Sequence, residues 1–323
     1  MKKITKFLVS SSLLSATTLV PIAAISCAKK DEGTSALTKN DIKLEAKSEN
    51  VKNLIKASYP VDFSDYKHVG KVFDQEVKQR IRNDSGEIVS RQIKLWDLFN
   101  YAEGEITRIA DGDTVRVRIT KQPKAVASGR IEIPDEISIR IPMIDTLEEN
   151  TPSATPRERG LAKMDSDYAK SMLPLGTRVR VVAENWASKS YNRFVAYVFF
   201  GDNFERNFGI EMLAAGYTLA RLDGNEAFAF SNDLDLPQEN AKPIRSYLLP
   251  YAAYAFNEGI LEKRGFYGAP TSFANPYVFS KEYKDHGVSI VNSSLPILHP
   301  KLWEKPSLAN EKNNIYKVLE LKK

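Results

Sequence analysis

Five charged residues in the middle of the chain have the types and spacing for metal-assisted chemistry on a phosphate. Asp113, in the run Asp111-Gly112-Asp113-Thr114, opens one strand, and Asp145, in Asp145-Thr146-Leu147-Glu148, closes another. Two aspartates at neighbouring strand ends supply the hard oxygen ligands that Ca²⁺ takes, leaving positions for water and a phosphate oxygen. Glu148, three residues past the second aspartate, could orient or deprotonate that water. Arg140, five residues before Asp145, and Arg193, after Tyr191-Asn192, could clamp the phosphate and offset the added negative charge of its transition state. Together these are the parts of metal-assisted phosphodiester hydrolysis. Taken singly, each has a plainer reading. Asp-Gly is first a hairpin-turn signal, an aspartate at a strand end usually caps a loop, and an arginine on a polar strand face is usually solvated. Glu148, followed by Glu149, could belong to an acidic loop, and Tyr191 could be a core or turn aromatic.

The elements that must hold these residues are legible nearby. Residues 114–120 alternate strictly with Val115, Val117 and Ile119 on one face, and 137–143 alternate with Ile137, Ile139, Ile141 and Met143, so both are expected to be half-buried strands. Between them, 122–136 is too long for a tight turn and reads as an extended hairpin or loop. Thr155-Pro156-Arg157-Glu158 is a capping box with proline at the first helical position, and Leu161, Met164, Tyr168 and Met172 follow at helical spacing, predicting a helix over 156–173. Strands are expected at 178–182 and 194–200, a short helix at 207–215 closed by Gly216, and a third helix at 250–264 with Pro250 in its first turn. Upstream, 77–82 and 87–96 flank Asn83-Asp84-Ser85-Gly86 as a hairpin. Several short strands with helices inserted late indicate an α+β domain built on a small β-barrel.

From about residue 104 to 267, roughly half the chain, the sequence resembles the staphylococcal-nuclease-like (thermonuclease) family. The resemblance rests on Ile109-Ala-Asp-Gly-Asp-Thr-Val115 and Arg140-Ile-Pro-Met-Ile-Asp-Thr-Leu-Glu148. It continues through Arg159-Gly-Leu-Ala162, Tyr191-Asn-Arg193 before an Ala-Tyr-Val strand, and Glu211-Met-Leu-Ala-Ala-Gly216. It implies a five-stranded OB-fold barrel with three helices, Ca²⁺ dependence, and cleavage of DNA and RNA. Residue by residue, it implies Asp113, Asp145 and the Thr146 main-chain carbonyl as Ca²⁺ ligands and Glu148 as general base or water-orienting residue. Arg140 and Arg193 would contact the scissile phosphate, and Tyr191, with Lys189 beside it, would lie near a terminal phosphate. The chain departs from the family at four places. Leu147 stands where proline is usual, and Ser190 where lysine often precedes the tyrosine. Asn192 replaces a glycine and is expected to tolerate a positive φ. Ala220-Arg221-Leu222 lacks the aromatics that stack on base and sugar, a role Phe228 or Phe230 could take.

Composition sets the outer limits. The 323 residues are 42% hydrophobic and 27% charged, with a formal charge of +5 and a mean hydropathy of −0.35. This is ordinary globular composition and excludes a wholly disordered, collagenous or multi-span membrane protein. Removal of Lys2, Lys3 and Lys6 with a leader would leave about +2, so charge alone does not indicate nucleic-acid binding. A single cysteine, Cys27, rules out an intrachain disulfide and a Cys-based zinc site. The three histidines are scattered, which argues against a His-rich metal site. Cys27 follows a basic start, an apolar run interrupted by Pro21, and small residues ending in Ala24-Ile25-Ser26. That layout resembles a bacterial lipobox of the mycoplasma type, although a signal-anchor helix or a chance cysteine is the plainer alternative. The expected organisation is a lipoprotein signal over 1–26, lipidation at Cys27, a flexible tether over 27–58, an extension over 59–100, the nuclease-like domain over 101–268 and a second extension over 269–323. The expected function is a Ca²⁺-dependent nuclease of DNA and/or RNA, anchored by lipid on the extracellular face of the membrane and suited to nucleotide scavenging. The alternatives are a non-catalytic nucleic-acid-binding or adhesive lipoprotein on the same barrel, and a structural surface protein whose extensions bind a partner.

Overall fold

Alternating apolar residues dictate the central sheet of the protein. The computed structural model describes residues 37–323 apart from 84, 125–131, 151, 238–239, 285–287 and 304–310. The signal over 1–26, Cys27 and the middle of the loop at 122–136 therefore lie outside the described residues. Strands β1 (Glu76–Arg82) and β2 (Ile88–Lys94) form the expected hairpin. An eight-stranded sheet follows, in the order β11-β10-β7-β3-β4-β5-β9-β8, and it curls as a half-barrel. Its members are β3 (Ala102–Asp111), β4 (Thr114–Lys121), β5 (Glu136–Arg140), β7 (Arg178–Val182), β8 (Lys189–Ser190), β9 (Arg193–Val195), β10 (Tyr197–Phe200) and β11 (Arg206–Asn207). All neighbours are antiparallel except β5 and β9. Strand β6 (Met143–Asp145) pairs separately with β12 (Leu219–Arg221). Val115, Val117, Ile137, Ile139 and Ile141 are buried together, so the predicted alternation holds. The count of eight differs from the five-stranded expectation because β8, β9 and β11 are two- or three-residue pieces flanking turns.

Nine helices accompany the strands among the described residues: α1 (Glu49–Ser58), α2 (Leu95–Leu98), α3 (Pro156–Met172), α4 (Phe208–Ala214), α5 (Glu226–Leu234), α6 (Ile244–Leu261), α7 (Pro276–Ser280), α8 (Val288–Ser294) and α9 (Ile315–Leu321). Thr155 caps α3 by accepting the Glu158 backbone N–H at 3.1 Å, as the capping box predicts. The third expected helix begins at Ile244 rather than at residue 250. Pro250 lies inside it, and its missing N–H frees the carbonyl of Ser246, four residues earlier. The buried Tyr59 hydroxyl donates to that carbonyl at 2.8 Å, which explains how the proline is tolerated. Nearly every residue of α6 is buried, so its sequence lacks the one-sided periodicity that would have marked its start. None of the described helices is long and apolar enough to cross a membrane.

Residues 37–323 form one compact unit, which corrects two boundaries. The supposed tether over 27–58 is packed from residue 37 onward: Ile42, Leu44 and Val51 are buried, and the Tyr316 hydroxyl donates to the Ile42 carbonyl at 3.0 Å. Its polar composition hid a few well-spaced apolar residues that find a surface on α9 and α5. The 59–100 segment is likewise no appendage. Phe73 and Trp96 sit against Phe199 of β10 with ring centroids 5.2 and 5.0 Å away. At the other end, the Asn257 side chain on α6 donates to the Ile297 carbonyl at 2.8 Å, tying the 269–323 segment to the centre.

Candidate active site

The site starts at the β3–β4 turn. A Cβ on Gly112 would stand 2.6 Å from Thr146 Cγ2 and 2.8 Å from Asp165 Oδ1, so glycine is required by the close approach of the two loops. The turn buries Asp113, whose carboxylate accepts the Thr146 backbone N–H at 3.1 Å and the Thr114 hydroxyl at 3.0 Å. Register then delivers the others. Thr114 faces Arg140 across β4 and β5, and Arg140 faces Val195 across β5 and β9. The Arg140 guanidinium is buried and pairs with both Asp113 and Asp145. Arg193, at the start of β9, donates to the Thr114 hydroxyl at 2.8 Å. Arg140, Asp145, Glu148, Tyr191 and Arg193 line one cavity of about 670 Å³. The sequence-predicted charged residues are thus brought together.

Two neighbouring residues fall differently. Tyr191 is 91% exposed at the cavity rim, and it, not Asn192, takes the positive φ of the β8–β9 turn, at 54°. Lys189 is turned away, with its ammonium 4.7 Å from the centre of the Phe194 ring, and it does not line the cavity. Of the two phenylalanines considered as stacking groups, Phe230 is buried in the core beside Tyr59, and the exposed Phe228 does not line the cavity. A β8–β9 pair leaves Lys189 opposite Phe194, which sets its direction.

Three acidic side chains share this space with Asp113 and Asp145, and burial governs all three. Asp111 is pushed up to about 7 by burial first, then by the charge and hydrogen bond of Asp113 and by Glu148. Burial, with Asp113 and Asp111 nearby, holds Asp165 of α3 well above the usual carboxylate range. Glu148 is raised by burial, Asp113 and Asp145, against the lowering effect of Arg140 and Arg193. Mutually repelling buried carboxylates are the chemistry that a hard divalent cation relieves, and Asp165 Oδ1 is buried with no hydrogen-bond partner. The donor chemistry fits Ca²⁺. In the arrangement described, however, Asp113 and Asp145 close on Arg140, and no group of three or more His, Cys, Asp or Glu side chains among the described residues surrounds a common metal position.

Sequence reasoning missed four contributors. Arg221 on β12 pairs with Asp145 Oδ1 at 3.0 Å. Asp165 accepts the Leu147 backbone N–H at 3.3 Å, and its signal was a charge on the buried stripe of α3, four residues after Leu161. The Thr218 hydroxyl donates to the Asp145 carbonyl at 2.7 Å. The fourth, Tyr283, comes from the C-terminal segment, where no chemistry was visible. Its buried hydroxyl donates to the same carbonyl at 2.8 Å and makes a backbone hydrogen bond with Leu219, the strand neighbour of Asp145. A phenol from far along the chain thus pins the β6–β12 pair that carries Asp145. Tyr283→Phe is expected to lower unfolding free energy by about 1–2 kcal/mol while the ring still fills its space. Denaturant titration beside wild type checks this, and equal stability would show that the hydroxyl holds nothing.

Against known proteins, no family model matches the chain and no curated protein matches it.

Proposed function

We propose that this protein is a Ca²⁺-dependent nuclease that hydrolyses phosphodiester bonds of DNA and RNA. One observation carries the reading: Arg140, Asp145, Glu148 and Arg193, drawn from three strands and a loop, line one cavity, with Asp113 held on Arg140 behind them. Fold analogy alone would be a weak warrant, whereas a convergent set of charges is specific. The curled sheet is read as an OB-like barrel carrying α3, α4 and α6. Cys27 is read as the lipid anchor that holds the domain at the extracellular face of the membrane.

In this reading the guanidiniums of Arg140 and Arg193 bind the non-bridging oxygens of the scissile phosphate and offset charge as it develops. Glu148 takes a proton from the attacking water while the water oxygen bonds to phosphorus. The ester P–O bond opposite breaks, and the departing alkoxide takes a proton from solvent. The raised basicity of Glu148, set by burial beside Asp113 and Asp145, suits a proton acceptor. Asp113, Asp145 and the Thr146 carbonyl would hold Ca²⁺, which when bound supplies Lewis-acid polarisation of the phosphate. Tyr191, exposed at the rim, is positioned to touch the substrate strand. The test is incubation of the purified protein with single-stranded DNA, duplex DNA and RNA in Ca²⁺, Mg²⁺ or EDTA. Cleavage in Ca²⁺ that stops with EDTA supports the reading. Intact substrate in every condition, with retention on the protein, would instead support the non-catalytic binding protein.

A further inference from the structure

The mechanism leaves two guanidiniums at the cavity unused, Arg221 and Arg245, and Arg245 is paired with Glu226. Antiparallel pairing sets Leu219 opposite Asp145 and Arg221 opposite Met143, and from there the Arg221 side chain reaches Asp145 Oδ1 at 3.0 Å. Arg140 contacts the same oxygen. Two guanidiniums thus share one carboxylate oxygen, and their exposures differ sharply. The Arg140 side chain is 10% exposed, and that of Arg221 is 54% exposed. Arg140 also has Asp113, so these two guanidiniums and two carboxylates balance, and the cavity wall carries Arg193 and Arg245 beside Glu148, Glu184, Asp223 and Glu226.

The Arg221 guanidinium is half open to solvent, so an incoming anion can compete for it while the buried Asp145 keeps its pair with Arg140. The backbone beneath Arg221, by contrast, is fixed on both sides. The Ser294 hydroxyl donates to the Ala220 carbonyl at 2.8 Å, and the Leu222 N–H donates to the Ser293 carbonyl at 3.1 Å. A fork-shaped cation on a pinned strand, with its outer face open to solvent, is suited to bidentate binding of a phosphate. The cavity, at about 670 Å³, is larger than one phosphate needs, and Arg221 shares its wall with Arg140 and Arg193.

We propose that Arg221 forms a second phosphate subsite, which grips the phosphodiester next to the scissile one in an oligonucleotide strand. This rests on the nuclease reading above. The substrate class it selects is an oligonucleotide with a charged flanking phosphate, in preference to a dinucleotide or a single phosphodiester.

The experiment measures binding of a fluorescent single-stranded oligonucleotide to the Glu148→Gln protein and to Glu148→Gln with Arg221→Ala, by anisotropy over a range of salt. The added substitution is expected to weaken binding about ten-fold and to flatten the log–log salt slope by about 0.7. Methylphosphonate scanning, which neutralises one phosphate at a time, is expected to find one flanking position whose loss weakens Glu148→Gln by the same factor and leaves the Arg221→Ala protein unaffected. In the Glu148→Gln protein alone the scan still reads whether a flanking phosphate is gripped, so misfolding of Arg221→Ala does not shield the proposal. Equal affinity and slope in the two proteins, or no sensitive flanking phosphate, would overturn the subsite while leaving the nuclease reading intact. Binding by neither protein would overturn both. Binding with the expected Arg221 dependence, but without cleavage by wild type, would retain the subsite and remove the nuclease.

Discussion

Glu148→Gln is expected to lower the rate of nucleic-acid cleavage by about 10²–10⁴-fold, the usual contribution of a positioned general base. The amide keeps the shape of the carboxylate and can still hydrogen-bond water, but it cannot take a proton at any working pH. Stability is expected to hold or rise slightly. Glu148 is half-buried among Asp113 and Asp145, whose charges already disfavour its ionised form, so neutralisation removes repulsion. A rate loss without a stability loss separates a chemical role from a structural one, and single-turnover cleavage beside thermal melting reads both. A variant that cleaves at the wild-type rate would remove Glu148 from the chemistry.

The second large effect belongs to Arg140. Its guanidinium is the shared partner of two buried aspartates, and truncation leaves Asp113 without its ion pair while Asp145 keeps Arg221. Arg140→Ala is therefore expected to cost about 3–5 kcal/mol of stability, the penalty for orphaning buried charge. It should also reduce cleavage about 10²–10³-fold through loss of transition-state charge stabilisation. Arg140→Lys restores a point charge without the planar fork, so stability should return in part and activity should not. If the two aspartates hold Ca²⁺, the ion can take over the neutralisation, and Ca²⁺ should raise the stability of Arg140→Ala more than that of wild type. Denaturant titrations with and without Ca²⁺ check this, and equal shifts in both proteins would argue against a cation between Asp113 and Asp145.

Asp113, Arg140 and Asp145 were legible in the sequence because they lie at or beside strand ends. Glu148, in the loop after β6, and Arg193, on the three-residue β9, were legible only from their spacing to neighbouring motif residues. Val115, Val117, Ile137 and Ile139 fix the register of β4 against β5, and register alone carries Thr114 to Arg140. What was not legible depended on contacts between distant parts of the chain. Arg221 is one residue in a three-residue strand whose partner, β6, has a sequence neighbourhood of its own, so nothing local announces the pairing with Asp145. Tyr283 reaches the Asp145 carbonyl from a proline-rich stretch that carries no periodic pattern. The start of α6 was misplaced because proline is read locally as a helix beginning, whereas Tyr59, far earlier in the chain, satisfies the carbonyl that Pro250 leaves open. The supposed tether failed for a related reason: mean polarity describes a segment, and burial of Ile42 and Val51 depends on single positions.

The most direct test of the central claim compares wild type and Glu148→Gln, purified in parallel, on single-stranded DNA and RNA with Ca²⁺ and with EDTA. Wild type is expected to cleave in Ca²⁺ and not in EDTA, with a loss of about 10²–10⁴-fold in the variant, which also controls for contaminating nuclease. Intact substrate with folded wild type in Ca²⁺, or equal cleavage by the two proteins, would contradict the central claim.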